Sequence, residues 1–343
     1  MTTDLDSTQS IDLISVVIIG RNEGMRLRLC LESVLAMRQD RFKLEIIYVD
    51  SGSNDGSVAL AKSMGVHTLS LQPERPSAAL GRNAGWRAAH GSMVLFLDGD
   101  TVLHPDFVAA SIPKFSDPAV AAIWGHRREL HPEKSIYNRT LDLDWIYLAG
   151  PTAFCGGDAL FRRSVLMETD GFDDTLIAGE EPELCRRIRA LDLTILHVDH
   201  PMTGHDLAIT RWQQYWRRST RAGHAFAEVS DRFRKTEQPF WSAESKRNLN
   251  RAPVLLALPL VGLAASFYFR SIVPIAAVAT FFVAIATRSA WKARWKSHDA
   301  VALMLYGIHS HLQQIPIFVG QLQYKWNRRT GKRSLLVEYK QPR

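Results

Sequence analysis

The first hundred residues repeat one pattern. A short apolar run, often β-branched, ends in a loop of Gly, Asn, Ser and Asp, and the loop opens a segment with helical spacing. Ile14–Ile19 reads as a buried parallel strand that stops at GRNEG and gives way to a helix through about Met37. Leu44–Val49 is a second strand, ending in DSGSNDGS, where Asn54 or Asp55 is placed to cap the next helix. A short strand near Val66–Leu69 follows, then a helix over Ser77–His90, then a strand at Met93–Leu97 that ends in DGD. This order predicts an α/β fold with a mostly parallel, Rossmann-like sheet and right-handed crossovers. Ligands of such sheets bind beyond the carboxyl ends of the strands. Acids stand there: Glu23 past the first strand, Asp50 after the second, Asp98 and Asp100 after the fourth.

The pattern then loosens. Ala119–Trp124 and Thr152–Phe161 read as strands, the second carrying Gly156-Gly157, and Ser135–Leu148 reads as a helix. GEEPELCRRIRA opens a helix with Pro182 in its first turn, where proline is tolerated. Thr194–Val198 is a further strand, and 207–227 is an amphipathic helix rich in Trp and Arg. Residues 252–269 hold 18 positions without a charge and 271–287 hold 17, with Arg270 alone between them. At about 1.5 Å per residue, each approaches the roughly 30 Å apolar core of a bilayer. A transmembrane or re-entrant helical hairpin is expected over 252–287, with two buried core helices as the alternative. The polar residues His309, His311, Gln313 and Gln314 interrupt the next apolar stretch. They predict an amphipathic helix along the interface, followed by a basic tail, over 298–343.

Composition narrows the classes. Hydrophobic residues make up 46% of the 343, which excludes a disordered chain. Cys30, Cys155 and Cys185 lie far apart with no CxxC, so neither a disulfide scaffold nor a cysteine zinc site is expected. The formal charge of +7 is unevenly spread. Residues 1–240 carry 27 Lys/Arg against 32 Asp/Glu, net −5, and 241–343 carry 15 against 3, net +12. Basic residues flanking apolar runs point to membrane lipid and a positive-inside arrangement. No nucleic-acid partner is expected, since the first 240 residues show no basic stripe interleaved with aromatics. The start MTTDLDSTQSI is polar and acidic, with no basic segment leading into an apolar run, so a cleaved signal peptide is not expected and the N-terminal domain is expected on the cytoplasmic side of the inner membrane.

LDGDT at 97–101 is the sharpest local feature. Carboxylates at i and i+2 past a buried strand can share a hard cation; Asp-Gly is also ordinary turn chemistry. SVVIIGRNE, YVDSGSNDGS, GRNAG, LDGDT, GGDALFRR and GEEPELCRR follow one another in order. Over about residues 14–227 this series resembles the family 2 glycosyltransferases of GT-A fold. The resemblance implies inverting transfer of a sugar from a nucleoside diphosphate sugar, with Mg²⁺ or Mn²⁺. Glu23 and Asp50 match the nucleoside-binding acids, and Arg82 matches a position near the phosphates. Asp98 and Asp100 match the DxD pair, with Asp100 the direct ligand. His205 matches a histidine that completes the metal site in relatives, with His200 and His224 as competitors.

GEEPELCRR matches the family's Glu-Asp pair at a helix start. Glu181 stands at the general-base position in place of aspartate, and Glu180 is the alternative. Either acid could instead serve the helix dipole. Gly157 offers close backbone approach, or a strand bulge, and Asp158 a contact to a donor-sugar hydroxyl. The processive synthases' QxxRW is here Gln213 then Trp216-Arg217, a different order, which departs from a polymerase but leaves Arg217 a candidate for the diphosphate.

The expected organisation is therefore a GT-A domain over 12–230, a basic linker over 231–251, the hairpin, and the amphipathic helix with its tail. The acceptor is expected to be a glycan or lipid-linked, in cell-envelope or exopolysaccharide assembly. The alternatives are a polyprenyl-phosphate glycosyltransferase and a non-catalytic membrane module that binds nucleotide sugar. A nucleotidyltransferase fits poorly, because GRNEG lacks a glycine-rich basic phosphate loop.

Overall fold

The computed structural model describes residues 13–39, 42–236 and 239–332. The expected domain start at residue 12 and the end of the basic tail, 333–343, lie outside the described residues. The chain opens with β1 (Leu13–Gly20), α1 (Met25–Leu35), β2 (Lys43–Asp50), α2 (Ser57–Ser63), β3 (His67–Ser70), α3 (Ala78–Ala88) and β4 (Met93–Asp98). Next come β5 (Thr101–Leu103), α4 (Phe107–Ser111), β6 (Val120–Glu129), α5 (Ile136–Asp142), β7 (Gly150–Thr152), β8 (Ala159–Arg162), α6 (Arg163–Glu168), α7 (Glu180–Arg189) and β9 (Thr194–His205). The described chain closes with α8 (Trp212–Phe233), α9 (Ser242–Tyr268), α10 (Val273–Lys292), α11 (Ala300–Leu312) and α12 (Gln314–Arg329).

By its internal contacts the chain divides into two units. The first runs to Arg128 and adds Tyr147–Thr175 and Glu180–Asp206; it holds the sheet. Strand order is β3-β2-β1-β4-β8-β6-β9-β5, with β7 paired to β9 off this path. The pairs β3–β2, β2–β1 and β1–β4 are parallel, as expected from the alternating first half. Val16, Val17 and Ile18 of β1 and Val94–Leu97 of β4 are fully buried, so the two central strands read as unbroken apolar runs. Beyond β4 the sheet turns mixed: β8 is antiparallel to β4 and to β6, and β5 and β7 are antiparallel to β9. At the helix starts, Ser77 Oγ accepts from Leu80 N at 3.2 Å. Asp55 rather than Asn54 holds the turn before α2, its Oδ1 accepting from Ser57 N at 3.0 Å.

Two strand expectations change. The single strand over 152–161 is instead β7 and β8, with 153–158 lifted out of the ladder. Gly156 at φ +75° and the Cys155 amide, which donates to a side chain rather than a strand, account for the break. The short strand at 194–198 continues to His205, because Leu103, Val102 and Thr101 pair with Thr203, Gly204 and His205.

The second unit holds Glu129–Ile146, Leu176–Gly179 and the chain from Leu207 onward. The helix expected over 135–148 stops at Asp142 and tightens into a 3-10 turn over Leu143–Trp145. Lys296 Nζ donates to the Leu143 carbonyl at 2.7 Å, and His309 bridges Tyr215 Oη at 2.8 Å and Asp144 at 3.3 Å. The stretch 242–251, expected within a linker, is already the start of α9, and the expected single amphipathic helix is the pair α11 and α12. By length and composition α9 and α10 could each cross a membrane, with mean hydropathy 1.5 and 1.6 over windows only 11% buried. Glycines bring helix backbones into contact. A Cβ on Gly223 of α8 would strike the Ile317 backbone of α12, and one on Gly320 of α12 would strike the Thr220 carbonyl.

Backbone at a helix crossing cannot step aside as a side-chain tip can. Gly223→Leu is therefore expected to separate α8 from α12 and cost about 1–3 kcal/mol or more. Thermal unfolding in detergent measures this, and an unchanged melting temperature would refute the contact.

Candidate functional site

All clustered residues below belong to the first unit. The ends of β1, β2 and β4 present the acids that the strand pattern predicted. Asp50 is 1% exposed and shapes its own loop: Oδ2 accepts from Gly52 N at 3.0 Å and Ser53 N at 2.9 Å, and Tyr48 Oη donates to Oδ1 at 3.1 Å. Burial and then the Asp50 carboxylate push the Tyr48 phenol up, so it stays protonated as a donor. Glu23 pairs with Arg26 at 2.9 Å. Its Cγ lies 3.1 Å from where a Cβ on Gly20 or Gly99 would sit, wedged between the ends of β1 and β4.

Asp98, Asp100 and His205 converge, each offering a ligand atom within 4.8 Å of the others. The β5–β9 pairing sets Thr101 opposite His205, so the imidazole stands beside the DxD loop, Nε2 3.4 Å from Asp100 Oδ1. Of the three candidate histidines His205 takes this place. His200 turns its Nδ1 to the Pro201 carbonyl, and His224 lies on α8 in the second unit beside Glu228. Two carboxylates and one imidazole form a donor set that fits Mg²⁺ or Mn²⁺. The Asp98 side chain is 34% exposed, which leaves that set an open side.

Arg82 of α3 is 3% exposed and forks between two acids, Nη2 to Asp98 Oδ1 at 2.9 Å and Nη1 to Glu180 Oε1 at 2.8 Å. Burial works against its charge, but Asp98, Glu180 and Asp158 outweigh it and raise the guanidinium pKa. Gly157 is required by this pair: a Cβ there would lie 2.8 Å from Arg82 Nη2 and 2.9 Å from Asp98 Oδ2. A Cβ on Gly156 would run into the Arg127 guanidinium. The two glycines thus make room for two arginines.

Asp158, expected to face a donor sugar, is 1% exposed beneath the loop. It accepts from Asp98 N at 3.0 Å and Thr203 Oγ1 at 3.1 Å, with Arg127 Nε at 3.5 Å. Burial, then the nearby Asp98, raises its pKa against the opposing pull of Arg127. It props the DxD backbone.

Glu180 and Glu181 begin α7 and turn apart. Glu180 goes to Arg82, while Glu181 Oε1 accepts from Cys155 N at 2.6 Å, Cys185 Sγ at 2.9 Å and Cys155 Sγ at 3.3 Å. Burial raises the Glu181 pKa more than these hydrogen bonds lower it. Arg217 is an exposed residue of α8 in the second unit. Sequence reasoning missed Arg127, Cys155 and Cys185. For Cys185 the signal was its i+4 spacing from Glu181 on one helix face; Arg127 and Cys155 gave none.

Residues 15–169 match the profile of the family described as Glycosyl transferase family 2. The chain contains a family 2 glycosyltransferase domain. Glycosyltransferase AglE of Haloferax volcanii is 26% identical over 129 residues, 36% of this chain and 42% of that protein. An N-acetylglucosaminyltransferase of Mesorhizobium japonicum is 31% identical over 175 residues, 45% of this chain and 40% of that one. The chain thus spans less than half the length of these two relatives. In structure, the mannosyltransferase PcManGT from Pyrobaculum calidifontis, solved with GDP-Man and Mn²⁺, matches 92% of this chain and 87% of its own at a TM-score of 0.58 and 19% identity. That likeness is one of fold, the GT-A arrangement.

In the family 2 domain, Arg82→Met leaves Asp98 and Glu180 without their shared cation. Breaking such a buried pair typically costs about 3–5 kcal/mol. Arg82→Lys, which keeps charge but loses the fork, is expected to fall between it and wild type in denaturant unfolding. Equal stability of all three proteins would refute the clamp.

Proposed function

We propose that this protein is an inverting glycosyltransferase. It moves a sugar from a nucleoside diphosphate sugar to a glycan or lipid-linked acceptor at the cytoplasmic face of the cell membrane. The observation that carries the reading is the convergence of Asp98, Asp100 and His205 with Arg82 and the Glu180–Glu181 pair beyond the strand ends. The fold shared with PcManGT, which was solved with GDP-Man and Mn²⁺, supports a nucleotide-sugar donor.

Glu23 and the loop shaped by Asp50 frame the nucleoside. Asp98, Asp100 and His205 would hold Mg²⁺ or Mn²⁺, which when bound neutralises the departing diphosphate. Arg82 keeps Asp98 and Glu180 fixed close to one another. Glu180 is engaged by Arg82, while among the described residues every side-chain hydrogen bond of Glu181 falls on Oε1, so Glu181 is assigned the base, acting through Oε2. The Cys155 amide fixes one of its oxygens. The acceptor hydroxyl gives its proton to Glu181 as its oxygen bonds to the anomeric carbon. The bond from that carbon to the diphosphate oxygen breaks on the opposite face, so configuration inverts. A buried carboxylate with a raised pKa is a stronger base than an ordinary glutamate. This favours a hydroxyl acceptor over a polyprenyl phosphate, whose oxygen is already ionised.

Glu181→Gln keeps shape but takes no proton, so transfer is expected to fall about 10²- to 10⁴-fold with donor binding retained. Glu181 works deprotonated, so its raised pKa sets the acidic limb of the rate profile above the ordinary glutamate range. Below that limb the carboxyl holds its proton and transfer stops. Stopped-time assays across pH test both points, and a loss confined to Glu180→Gln would exchange the two roles.

The two apolar helices and the net charge of +12 after residue 240 support membrane attachment of the same enzyme. The full chain is expected to stay in the membrane pellet through alkaline carbonate and to need detergent for release. Release by carbonate alone would rule out an inserted hairpin.

A further inference from the structure

The transfer reaction leaves two buried thiols of the first unit unused. Cys155 heads the segment 153–158, and Cys185 lies one turn along α7 from Glu181; both are fully buried. Their Sγ atoms are 3.6 Å apart. Both face Glu181 Oε1, at 2.9 Å from Cys185 and 3.3 Å from Cys155, and all three ligand atoms lie within 4.8 Å of one another. In sequence the cysteines are 30 positions apart, with nothing like a CxxC.

We propose that Cys155, Cys185 and Glu181 form a second metal site, for a thiophilic divalent cation of the Zn²⁺ or Cd²⁺ class, and that its occupation withdraws Glu181 from the transfer. The inhibitory half of this proposal rests on Glu181 being the base.

The spacing suits such an ion. Two thiolates at about 2.3 Å from a tetrahedral zinc lie about 3.8 Å apart, two-tenths more than the present separation. A carboxylate oxygen at about 2.0 Å from the metal lies about 3.5 Å from each sulfur, so Glu181 Oε1, now 2.9 Å from Cys185 Sγ and 3.3 Å from Cys155 Sγ, would withdraw by about 0.6 Å and about 0.2 Å. The exchange balances. One M²⁺ enters, each S–H releases its proton to solvent, two metal–sulfur bonds and one metal–oxygen bond form, and the net charge stays that of the lone Glu181 carboxylate. Burial raises both thiols, Cys155 to about 11 and Cys185 well above its ordinary value, so without a metal they remain S–H donors to Glu181.

The two candidate metal sites differ in softness. The oxygen, oxygen and imidazole set at Asp98, Asp100 and His205 suits Mg²⁺ or Mn²⁺, while two sulfurs and one oxygen select thiophilic ions. Once Glu181 Oε1 is bonded to a divalent metal, the carboxylate shares its charge with the ion, and Oε2 becomes too weak a base to take the acceptor proton.

The test uses the full chain in detergent, reduced and freed of metal with a chelator that is then removed. Excess Mg²⁺ is added to fill the carboxylate site, and Cd²⁺ alone is titrated. The expected result is an ultraviolet thiolate-to-Cd²⁺ charge-transfer band that saturates at one equivalent and is displaced by Zn²⁺. The band should be retained in Cys30→Ser and lost in Cys155→Ser and in Cys185→Ser. In a parallel transfer assay, one equivalent of Zn²⁺ should suppress wild type and leave Cys185→Ser at its own metal-free rate. Absence of the band from folded wild type, or its persistence in Cys185→Ser, would overturn the site. A normal band with undiminished transfer would overturn the inhibitory role together with Glu181 as base, while the metal site itself would stand.

Discussion

Negative charge gathered at the carboxyl ends of the strands has to be held in place without collapsing or neutralising itself. Asp98, Asp158 and Glu180 all act on one guanidinium, that of Arg82, which is nearly removed from water. In that setting an unpaired carboxylate would take up a proton, and an unpaired guanidinium would be strongly destabilising. The fork of Arg82 answers both problems at once, bonding Asp98 with one nitrogen and Glu180 with another. A lysine could offer the charge but not two fixed directions.

Much of the surrounding chain is arranged to admit that fork. Gly157 leaves the space that a Cβ would take from Arg82 and Asp98, and Gly156 does the same for Arg127. Arg127 in turn stands beside Asp158, whose carboxylate accepts from the Asp98 amide and fixes the start of the DxD loop from below. The result is a division of labour among five acids. Asp158 is structural, Asp98 and Asp100 face His205, Glu180 is locked to Arg82, and Glu181 is turned to the thiols. The removal of 153–158 from the sheet belongs to the same arrangement, since it carries both glycines and the Cys155 amide to where they are used.

The second unit follows a different logic. Its helices touch through glycines, with Gly223 and Gly320 allowing α8 and α12 to meet backbone to backbone. Such contact gains from dispersion where apolar burial alone offers less, as among helices in lipid. Within it, buried His309 is held between Tyr215 and Asp144.

The sequence by itself determined the alternating first half of the fold, the strand-end acids and the two apolar runs, because each is written in local periodicity or in a loop that directly follows a strand. It also supported the choice of Arg82 and the Glu180–Glu181 pair through resemblance. Tertiary structure decided what each group does. Asp158 looks like a strand-side acid available to a sugar, yet it lies under the loop, where the Asp98 amide and the Thr203 hydroxyl of distant strands donate to it. His205 stands beside Asp100 only because β9 runs seven residues further than its apolar run, paired with β5 at its end. Glycine at 156 and 157 reads as flexibility until two guanidinium groups are seen in the space they leave. Cys155 and Cys185 meet over Glu181 through a contact 30 residues apart in sequence. Local patterns fix which face of an element is apolar, but long-range pairing fixes which polar groups share one space, and chemistry depends on that sharing.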